Sequence, residues 1–323
     1  MINSLTLGKK SFPVNIIQGP LAGFSSAPFR ELTWRYGKPA FSCTEMISAK
    51  TLINKPLFAQ RRFLAKDPNE GPVCFQLSGN DEGELSKAVK IATDYGADLI
   101  DLNCGCPVKK IRKKGTGSGL LSTPLKIFAL IAAMKNSTHV PVSVKIRVDG
   151  GSSDNFNAEI ATMLNDSGVD FVTVHGRHWT EHYETQCNYD EIKFFVENLN
   201  MPVIGNGDIA SVSTLENMFA TGCAGVMIAR AGVGQPWLIQ ELITKYSNQK
   251  FIKPSLEEIS GIFLEHVEKL ALLLQSEKHA IIQSRKFAKY YARDLAKRAE
   301  LCNKVNVCES FVELKKVVKN CWG

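Results

Sequence analysis

Cys106 has a setting that points to chemistry. It lies between Gly105 and Pro107, shortly after the apolar run 99–103, so a rigid turn holds its thiol at the end of a segment and outside a hydrophobic core. A thiol in such a place can donate a proton or act as a nucleophile. Two alternatives stay open, because Cys104 and Cys106 can also form a metal or redox pair or serve as small apolar fillers.

Lys145 lies in a second unusual setting, inside the apolar and β-branched run 142–146. Alternate residues of a strand face opposite sides, so the ammonium group of Lys145 faces inward if this run is a strand. A solvated lysine and a Schiff-base lysine are the alternatives. Gln76 lies in an earlier run of the same kind, and its amide supplies both donors and an acceptor.

Two further motifs indicate a phosphate site. Asn206, Gly207 and Asp208 end one apolar run, and Ala229 with Arg230 ends the next. The loops after the last two strands of a parallel barrel commonly bind phosphate, and glycine lets backbone N–H groups approach a ligand closely. A simple turn into a capped helix is the alternative for the first motif. A phosphate here, with an amide and a cation on the opposite side of the mouth, suits flavin mononucleotide (FMN).

These residues need elements that bring them to one place. Eight short apolar and β-branched runs predict strands at 15–19, 41–45, 73–77, 99–103, 142–146, 171–175, 203–206 and 225–229. Segments with helical periodicity lie between most of them, at 82–95, 124–134, 157–166, 189–199 and 213–220. Strands that alternate with helices form parallel βαβ units, and eight of them predict a (β/α)8 TIM barrel with its site at the carboxyl ends of the strands.

After residue 237 the sequence predicts helices and no further strands. Periodicity predicts helices at 255–275, 280–297 and 310–319, and Ser255 with Glu258 forms a capping box. We therefore expect a barrel domain at 1–245 and a small all-helical domain at 246–323.

The predicted middle helix of that second domain is basic. Arg285, Lys286, Lys289 and Arg293 follow one another at spacings that place most of them on one stripe, with Tyr290 among them. Aromatic rings in such a stripe either stack on bases or belong to the core. We expect none of these cations to lie at the barrel mouth.

Composition supports a folded protein with a polyanionic partner. The 323 residues are 44% hydrophobic and 22% charged, and the net charge is +7. Residues 245–323 hold fifteen Lys and Arg against nine Asp and Glu, so they carry +6 of that charge. A basic segment on a near-neutral body favours nucleic acid as partner, and surface lysines kept for solubility are the alternative.

Other classes are disfavoured. No apolar stretch reaches the about 20 residues of a membrane-spanning helix, and the first ten residues lack the apolar segment of a signal peptide. The nine cysteines lack the spacing of a zinc site or a disulfide framework. We expect a cytoplasmic monomer with reduced thiols, no metal and no membrane partner.

The ensemble of motifs resembles the tRNA-dihydrouridine synthase family. The resemblance runs from about residue 17 to residue 237 and rests most on the segment 103–107, Asn-Cys-Gly-Cys-Pro. The other matching segments are 20–23 (Pro-Leu-Ala-Gly), 76–79 (Gln-Leu-Ser-Gly), 145–147 (Lys-Ile-Arg), 175–177 (His-Gly-Arg), 206–208 (Asn-Gly-Asp) and 235–237 (Gln-Pro-Trp). The sequence departs from the family pattern at Leu21, where Met is usual, at Ala229, where Gly is usual, and around Glu181 and His182.

The resemblance implies an FMN barrel with a tRNA-binding helical domain, NADPH as electron donor, and reduction of particular uridines to dihydrouridine. It implies FMN contacts for Pro20, Leu21, Ala22, Gln76, Lys145, His175, Asn206, Gly207, Asp208, Ala229 and Arg230. It makes Cys106 the proton donor. From the chemistry of uracil reduction we expect Asn103 to pair with the uracil edge and Arg177 or Tyr183 to orient the base. From the basic stripe we expect Arg285, Lys286, Lys289 and Arg293 to bind the tRNA.

Two other functions compete with this one. A flavin barrel that reduces a free pyrimidine shares the site but not the basic helices. A non-catalytic RNA-binding protein shares the helices but does not need Cys106 and Lys145. A flavin spectrum would remove the second alternative, and tRNA-dependent NADPH oxidation would remove the first.

Overall fold

Eight parallel strand positions close into a barrel in the computed structural model, which describes residues 1–150, 155–182 and 184–322. The strands in that part of the chain are β1 (Leu5–Leu7), β2 (Lys10–Phe12), β3 (Ile16–Gln18), β4 (Ser42–Cys43), β5 (Ile47–Ser48), β6 (Val73–Ser78), β7 (Leu99–Cys104), β8 (Val142–Arg147), β9 (Phe171–His175), β10 (Val203–Asn206) and β11 (Gly225–Ile228). The barrel runs from β3 through β4 and β5 to β11, and β11 pairs in parallel with β3. The predicted TIM barrel is confirmed.

The second strand position is broken into β4 and β5, both of which pair with β6. The backbone N–H of Thr44 still donates to the carbonyl of Cys74 at 2.9 Å, but side chains take part in the bonding beyond it. The hydroxyl of Thr44 accepts the backbone N–H of Gln76 at 3.0 Å, and Arg62 donates to both carboxylate oxygens of Glu45 at 2.9 and 3.0 Å. The single strand predicted at 41–45 is therefore shorter and continues after an interruption.

Helices cover the outside of the barrel and then follow it. They are α1 (Ala27–Gly37), α2 (Ala49–Asn54), α3 (Leu57–Leu64), α4 (Glu82–Asp94), α5 (Lys109–Arg112), α6 (Pro124–Lys135), α7 (Phe156–Asp166), α8 (Tyr189–Asn198), α9 (Val212–Phe219), α10 (Leu238–Tyr246), α11 (Leu256–Leu274), α12 (Glu277–Tyr291), α13 (Arg298–Val307) and α14 (Phe311–Trp322). Short 3-10 turns span Gly117–Ser122 and Arg230–Gly232. Glycines in the left-handed region follow three of the helices, since Gly96, Gly168 and Gly222 have φ of 85°, 71° and 83°.

The hairpin β1–β2 closes the barrel at the end opposite the strand carboxyl ends. The sequence pattern does not predict it, because its strands are only three residues long. Leu5, Leu7 and Phe12 pack in one apolar cluster with Phe41 and Phe171 from the barrel strands. Apolar side chains thus fill the barrel at the amino ends of its strands, and the polar residues lie at the carboxyl ends, where the barrel is open.

Helices α11 to α14 share a core with the barrel helix α1. Phe29 and Leu32 of α1 pack in the same cluster as Trp237, Phe263 and Phe287. The capping box is present, with Ser255 as the N-cap of α11 and Glu258 as its partner. This packing fixes the helical segment, which consists of α11 to α14, against the side of the barrel.

The helix predicted at 280–297 ends earlier, at Tyr291, and α13 begins at Arg298. In a continuing helix the carbonyl of Tyr290 would accept from the amide of residue 294. It accepts instead from Nε of Arg293 at 2.9 Å, while Nη2 of Arg293 donates to the carbonyl of Val233 in the barrel. The turn at 292–297 is therefore made by a contact with the barrel, which helical periodicity does not show.

No helix among the described residues is both long and apolar enough to span a membrane.

Candidate functional site

A cavity of about 890 Å³ opens at the carboxyl ends of the barrel strands. This volume is in the range of sites that hold a cofactor or a small substrate. Sixteen residues that the sequence selected line it, namely Pro20, Leu21, Ala22, Gln76, Asn103, Cys106, Lys145, His175, Arg177, Asn206, Gly207, Asp208, Ala229, Arg230, Lys289 and Arg293. Arg285 and Lys286 lie outside its wall, and Tyr183 lies outside the described residues.

A chain of hydrogen bonds crosses the floor of the cavity and ends at Cys106. Nε2 of Gln76 donates to Oδ2 of Asp101 at 2.8 Å, and Oε1 of Gln76 accepts from Nδ2 of Asn103 at 2.8 Å. Oδ1 of Asn103 accepts the backbone N–H of Cys106 at 3.0 Å. Asp101 and Asn103 are two residues apart on β7, so both face into the barrel beside Gln76 on β6.

Asp101 is the acid at the base of this chain. It is buried, and its Oδ1 accepts from the hydroxyl of Ser143 at 2.6 Å. Burial raises the pKa of Asp101 to about 6, while the hydrogen bonds from Ser143 and Gln76 and the charge of Lys145 act in the opposite direction. The two hydrogen bonds and the ammonium of Lys145 favour the ionised carboxylate, which accepts from both donors.

The turn that carries Cys106 is held on both sides. The side chain of Asn103 accepts the backbone N–H of Cys106. The carbonyl of Cys106 accepts from the backbone N–H and the hydroxyl of Ser118 at 3.1 and 3.0 Å. Gly117 has φ of 61°, and a Cβ there would lie 2.8 Å from the carbonyl oxygen of Cys106. Only glycine permits this approach. The half-buried thiol is thus presented at the cavity wall by a well-fixed backbone.

Cys104 lies on the other side of the strand. It is buried in the apolar layer between the barrel and its helices, where burial raises the pKa of its thiol well above the ordinary value. Cys104 and Cys106 therefore face different environments, which disfavours a metal or redox pair. Within the described ranges, no three His, Cys, Asp or Glu side chains are grouped so that they could hold a metal ion.

Lys145 forms the inner wall next to the floor. Its Nζ donates to Oδ1 of Asn206 at 2.7 Å, and Nδ2 of Asn206 donates to the carbonyl of Met227 at 2.8 Å, which fixes the orientation of that amide. Burial and the charge of Arg147 lower the pKa of Lys145 to about 8, and Asp101 opposes this effect. The ammonium form still predominates at neutral pH.

Arg177 is an internal anchor. Its Nη2 contacts Oδ2 of Asp208 at 2.5 Å, its Nε donates to the carbonyl of Thr185 at 2.7 Å, and its side chain is 1% exposed. Its Nη1 lies 3.3 Å from Nε2 of His175. Because a guanidinium only donates, Nε2 of His175 is the acceptor. Burial and the surrounding cations lower the pKa of His175 well below its ordinary value, so this imidazole is neutral.

Asp208 also faces Arg230, whose Nη2 is 3.5 Å from Oδ1 of Asp208. The Arg230 side chain is 44% exposed, so it reaches the open part of the cavity. Gly207 has φ of 141°, and a Cβ on it would lie 2.4 Å from Sγ of Cys187. Packing against Cys187 therefore requires glycine at position 207. Gly207 and the reachable guanidinium of Arg230 both line the cavity at the ends of β10 and β11, the place where parallel barrels commonly bind phosphate.

Arg147 joins two loops of the rim. Its Nε donates to the carbonyl of Gly105 at 2.8 Å, and its Nη1 donates to the carbonyl of His178 at 2.8 Å. The guanidinium of Arg112, at the end of α5, lies 3.1 Å from the ring centre of Trp179, the residue after His178. The turn of Cys106 and the loop after β9 are thereby fastened to each other.

The helical segment supplies part of the mouth. Lys289, Tyr290 and Arg293 line the cavity together with Arg298, the first residue of α13. The prediction that the basic residues of this segment avoid the barrel mouth is wrong. Its physical reason is the turn at 292–297, which brings α12 against Gly234 so closely that a Cβ there would lie 2.4 Å from the carbonyl carbon of Tyr290.

The other cations of the predicted stripe have different settings. Arg285 is half-buried, and its Nη2 donates to the carbonyl of Cys308 at 3.3 Å. Lys286 is exposed, and its Nζ lies near Gly23 in the loop after β3. Of the four predicted cations, only Lys286 and Lys289 are exposed.

The sequence prediction gives no role to three residues of the site. Arg147 appears there only within the matching segment 145–147, and Asp101 lies in an otherwise apolar strand, although an inward acid or guanidinium near a strand end is a signal for a polar site. Arg298 gives no such signal, because it reaches the cavity only through the turn before α13.

Comparison with known proteins gives consistent matches. A family model described as dihydrouridine synthase matches residues 17–322. The tRNA-dihydrouridine synthase B of Pasteurella multocida is 32% identical over 294 residues, which cover 90% of this chain and 87% of that protein. The protein of the same name from Vibrio parahaemolyticus is 34% identical over 82% of this chain and 83% of its own. The one from Proteus vulgaris is 30% identical over 96% and 95%.

Proposed function

The chain belongs to the dihydrouridine synthase family, and from that membership we propose that it reduces particular uridines of tRNA to 5,6-dihydrouridine with FMN and NADPH. The observation that carries the proposal is the Cys106 thiol, held by Asn103 and Ser118 at the wall of a cavity that also contains Lys145 and Arg230. This set combines a proton donor, a buried cation and a phosphate ligand in one cavity.

The residues present fit FMN. At one end, Gly207 and Arg230 line the cavity at the ends of β10 and β11, where parallel barrels commonly bind phosphate. At the other end, the amide of Gln76 and the ammonium of Lys145 suit a pyrimidine-like ring edge. The residues proposed to hold the cofactor are Pro20, Leu21, Ala22, Gln76, Lys145, His175, Asn206, Gly207, Asp208, Ala229 and Arg230. When bound and reduced by NADPH, FMN supplies a hydride to C6 of the uracil ring.

Cys106 then completes the reduction. Hydride addition leaves negative charge on C5 and O4 of the base, and the Sγ proton of Cys106 passes to C5, so that one hydride and one proton are added across the C5–C6 bond. General acid catalysis of this kind contributes about 10²–10⁴-fold in rate. Asn103 contributes by holding the backbone of Cys106 and by offering an N–H to the base.

Arg177 acts through its neighbours. It is buried against Asp208 and His175 and orients these two residues. We therefore propose that Arg177 positions the base through these neighbours and not by a direct contact. A role for Tyr183 at the base remains a prediction from the sequence.

The substrate RNA must enter the mouth with its target base out of the stack. Exposed cations border the mouth on both sides, with Lys109 and Lys110 on α5 and Lys286 and Lys289 on α12. We propose that these cations bind phosphates of a distorted tRNA and that residues 246–323 hold the remainder of it. Two arginines support this surface from beneath, because Arg285 donates to a backbone carbonyl at residue 308 of the bundle and Arg293 to one at residue 233 of the barrel.

The test uses tRNA from cells that lack this protein, incubated with the purified protein, FMN and NADPH. Dihydrouridine is then mapped by position. Cys106→Ala is expected to keep FMN and its reduction by NADPH but to lose most of the product, and Cys104→Ala, the matched control, is expected to lose far less. Equal losses in the two variants, or no dihydrouridine with the parent protein, would contradict the proposal.

A further inference from the structure

Asp101 has no part in the chemistry described above, yet it is a buried carboxylate at the start of the hydrogen-bond chain that ends at Cys106. We propose that Asp101 is a positioning residue, which orients the amides of Gln76 and Asn103 so that each presents an N–H donor to a carbonyl-bearing ring in the cavity. The inference rests on the proposed function only for the identity of that ring.

The direction of the chain follows from its first member. An ionised carboxylate can only accept hydrogen bonds, so Gln76 must turn Nε2 toward Asp101. Its Oε1 then faces Asn103, which must donate with Nδ2. At the other end of the chain, Oδ1 of Asn103 accepts the backbone N–H groups of Cys106 and Gly105 at 3.0 and 3.3 Å, and these groups can only donate. Each amide has one orientation as long as the carboxylate is present.

Without that carboxylate the two amides are held from the Cys106 end only. The two ends of an amide have nearly the same shape, so only hydrogen bonds distinguish them. If Gln76 rotated, its carbonyl would face the former position of the acid, and its NH2 would meet the NH2 of Asn103. Rotation of Asn103 would relieve this contact only by removing the acceptor of the Cys106 and Gly105 N–H groups. Loss of the carboxylate therefore loosens Gln76 first and, through it, Asn103 and the turn of Cys106.

The fixed orientation also defines what the floor offers a ligand. Among the described residues, each amide uses one of its two N–H bonds in the chain, so each keeps one donor. Ring carbonyl oxygens are the acceptors that such donors match. The floor therefore favours pyrimidine-type rings with carbonyl groups, and it couples their recognition to the placement of Cys106.

Two substitutions separate this role from mere packing. In Asp101→Asn, the carbonyl oxygen can still accept from Gln76, and the NH2 group can donate to the hydroxyl of Ser143, which is able to accept as well as donate. The chain is then kept. In Asp101→Leu, a side chain of similar size without an acceptor breaks the chain at its first bond.

The apoprotein provides a readout that needs neither flavin nor RNA. Alkylation of Cys106 by iodoacetamide is followed by peptide mass spectrometry, with the half-buried Cys302 as internal reference. Asp101→Leu is expected to alkylate faster at Cys106 and to bind FMN about tenfold more weakly, as for one lost buried hydrogen bond of about 1.4 kcal/mol. Asp101→Asn is expected to match the parent in both measurements.

The proposal is overturned if Asp101→Leu keeps the parent alkylation rate and FMN affinity, or if Asp101→Asn behaves like Asp101→Leu. Asp101→Ala serves as a second variant, and failure of both apolar variants to fold would overturn the proposal in favour of a purely structural role. Because alkylation is measured without substrate, a parent protein that fails to reduce tRNA would refute the proposed function and leave this result unaffected.

Discussion

Replacing Arg230 with Ala is expected to weaken FMN binding about tenfold. A charge-assisted hydrogen bond contributes about 1.5–3 kcal/mol, and the lower end applies here because the Arg230 side chain is 44% exposed and water can replace part of the contact. A loss of about 1.5 kcal/mol corresponds to roughly a tenfold change in affinity. The loop itself should survive, since Asp208 keeps its contact with Arg177.

The assay is titration of the apoprotein with FMN, followed by quenching of flavin fluorescence, with riboflavin as a second ligand. Riboflavin lacks the phosphate, so its affinity should be the same for Arg230→Ala and the parent. Arg298→Ala is the matched control, because Arg298 lines the same cavity from the helical side. The reasoning is refuted if Arg230→Ala weakens both flavins equally, or if it leaves FMN binding unchanged.

Three further outcomes are expected. The pKa of Lys145 falls from 10.5 to about 8 on folding. Between these pH values the unfolded chain binds a proton that the folded chain does not, so the stability of the folded protein rises with pH. Lys145→Met should lose this rise when the Tm of the apoprotein is compared across pH. Lys289→Gln should weaken tRNA binding and flatten the slope of log affinity against log salt by about 0.7–0.9. Lys278→Gln should leave the slope unchanged, because Lys278 is exposed on the same helix but lies outside the cavity wall. Equal slopes in the two variants would contradict the proposed RNA-binding surface. Glu70→Gln leaves Arg30 buried without its carboxylate, at 1% exposure for both side chains, and should lower the free energy of unfolding in urea by about 3–5 kcal/mol.

Much of the barrel could be predicted because its signals are local. Strands such as β9, Phe171–His175, coincide with their predicted apolar runs, and helix ends coincide with left-handed glycines. Once the strands are in order, the fold itself gathers their carboxyl ends. This is why residues as distant as Gln76 and Arg230 could be assigned to one mouth before any contact between the strands was known.

The rest depends on contacts that a local pattern does not encode. The break in the second strand requires Thr44 to meet Gln76, and the turn after α12 requires Arg293 to meet Val233. The hydrogen-bond chain from Asp101 likewise exists only when β6 and β7 are paired in register. Each of these is a tertiary interaction that overrides propensity, and each changes the wall of the site more than the fold.

The core that α1 shares with α11 to α14 has a consequence for how the protein forms during synthesis. Phe29 and Leu32 leave the ribosome long before Phe263 and Phe287, with which they pack. Until the later helices emerge, the apolar side of α1 and the ring of Trp237 lack their cover, and such surfaces attract chaperones or other nascent chains. The wall formed by Lys289 and Arg293 is added at the same stage. A barrel whose strands are already paired therefore has an incomplete mouth, so the cavity gains its cationic wall, and with it the proposed capacity to hold RNA, only when α11 to α14 pack against the barrel.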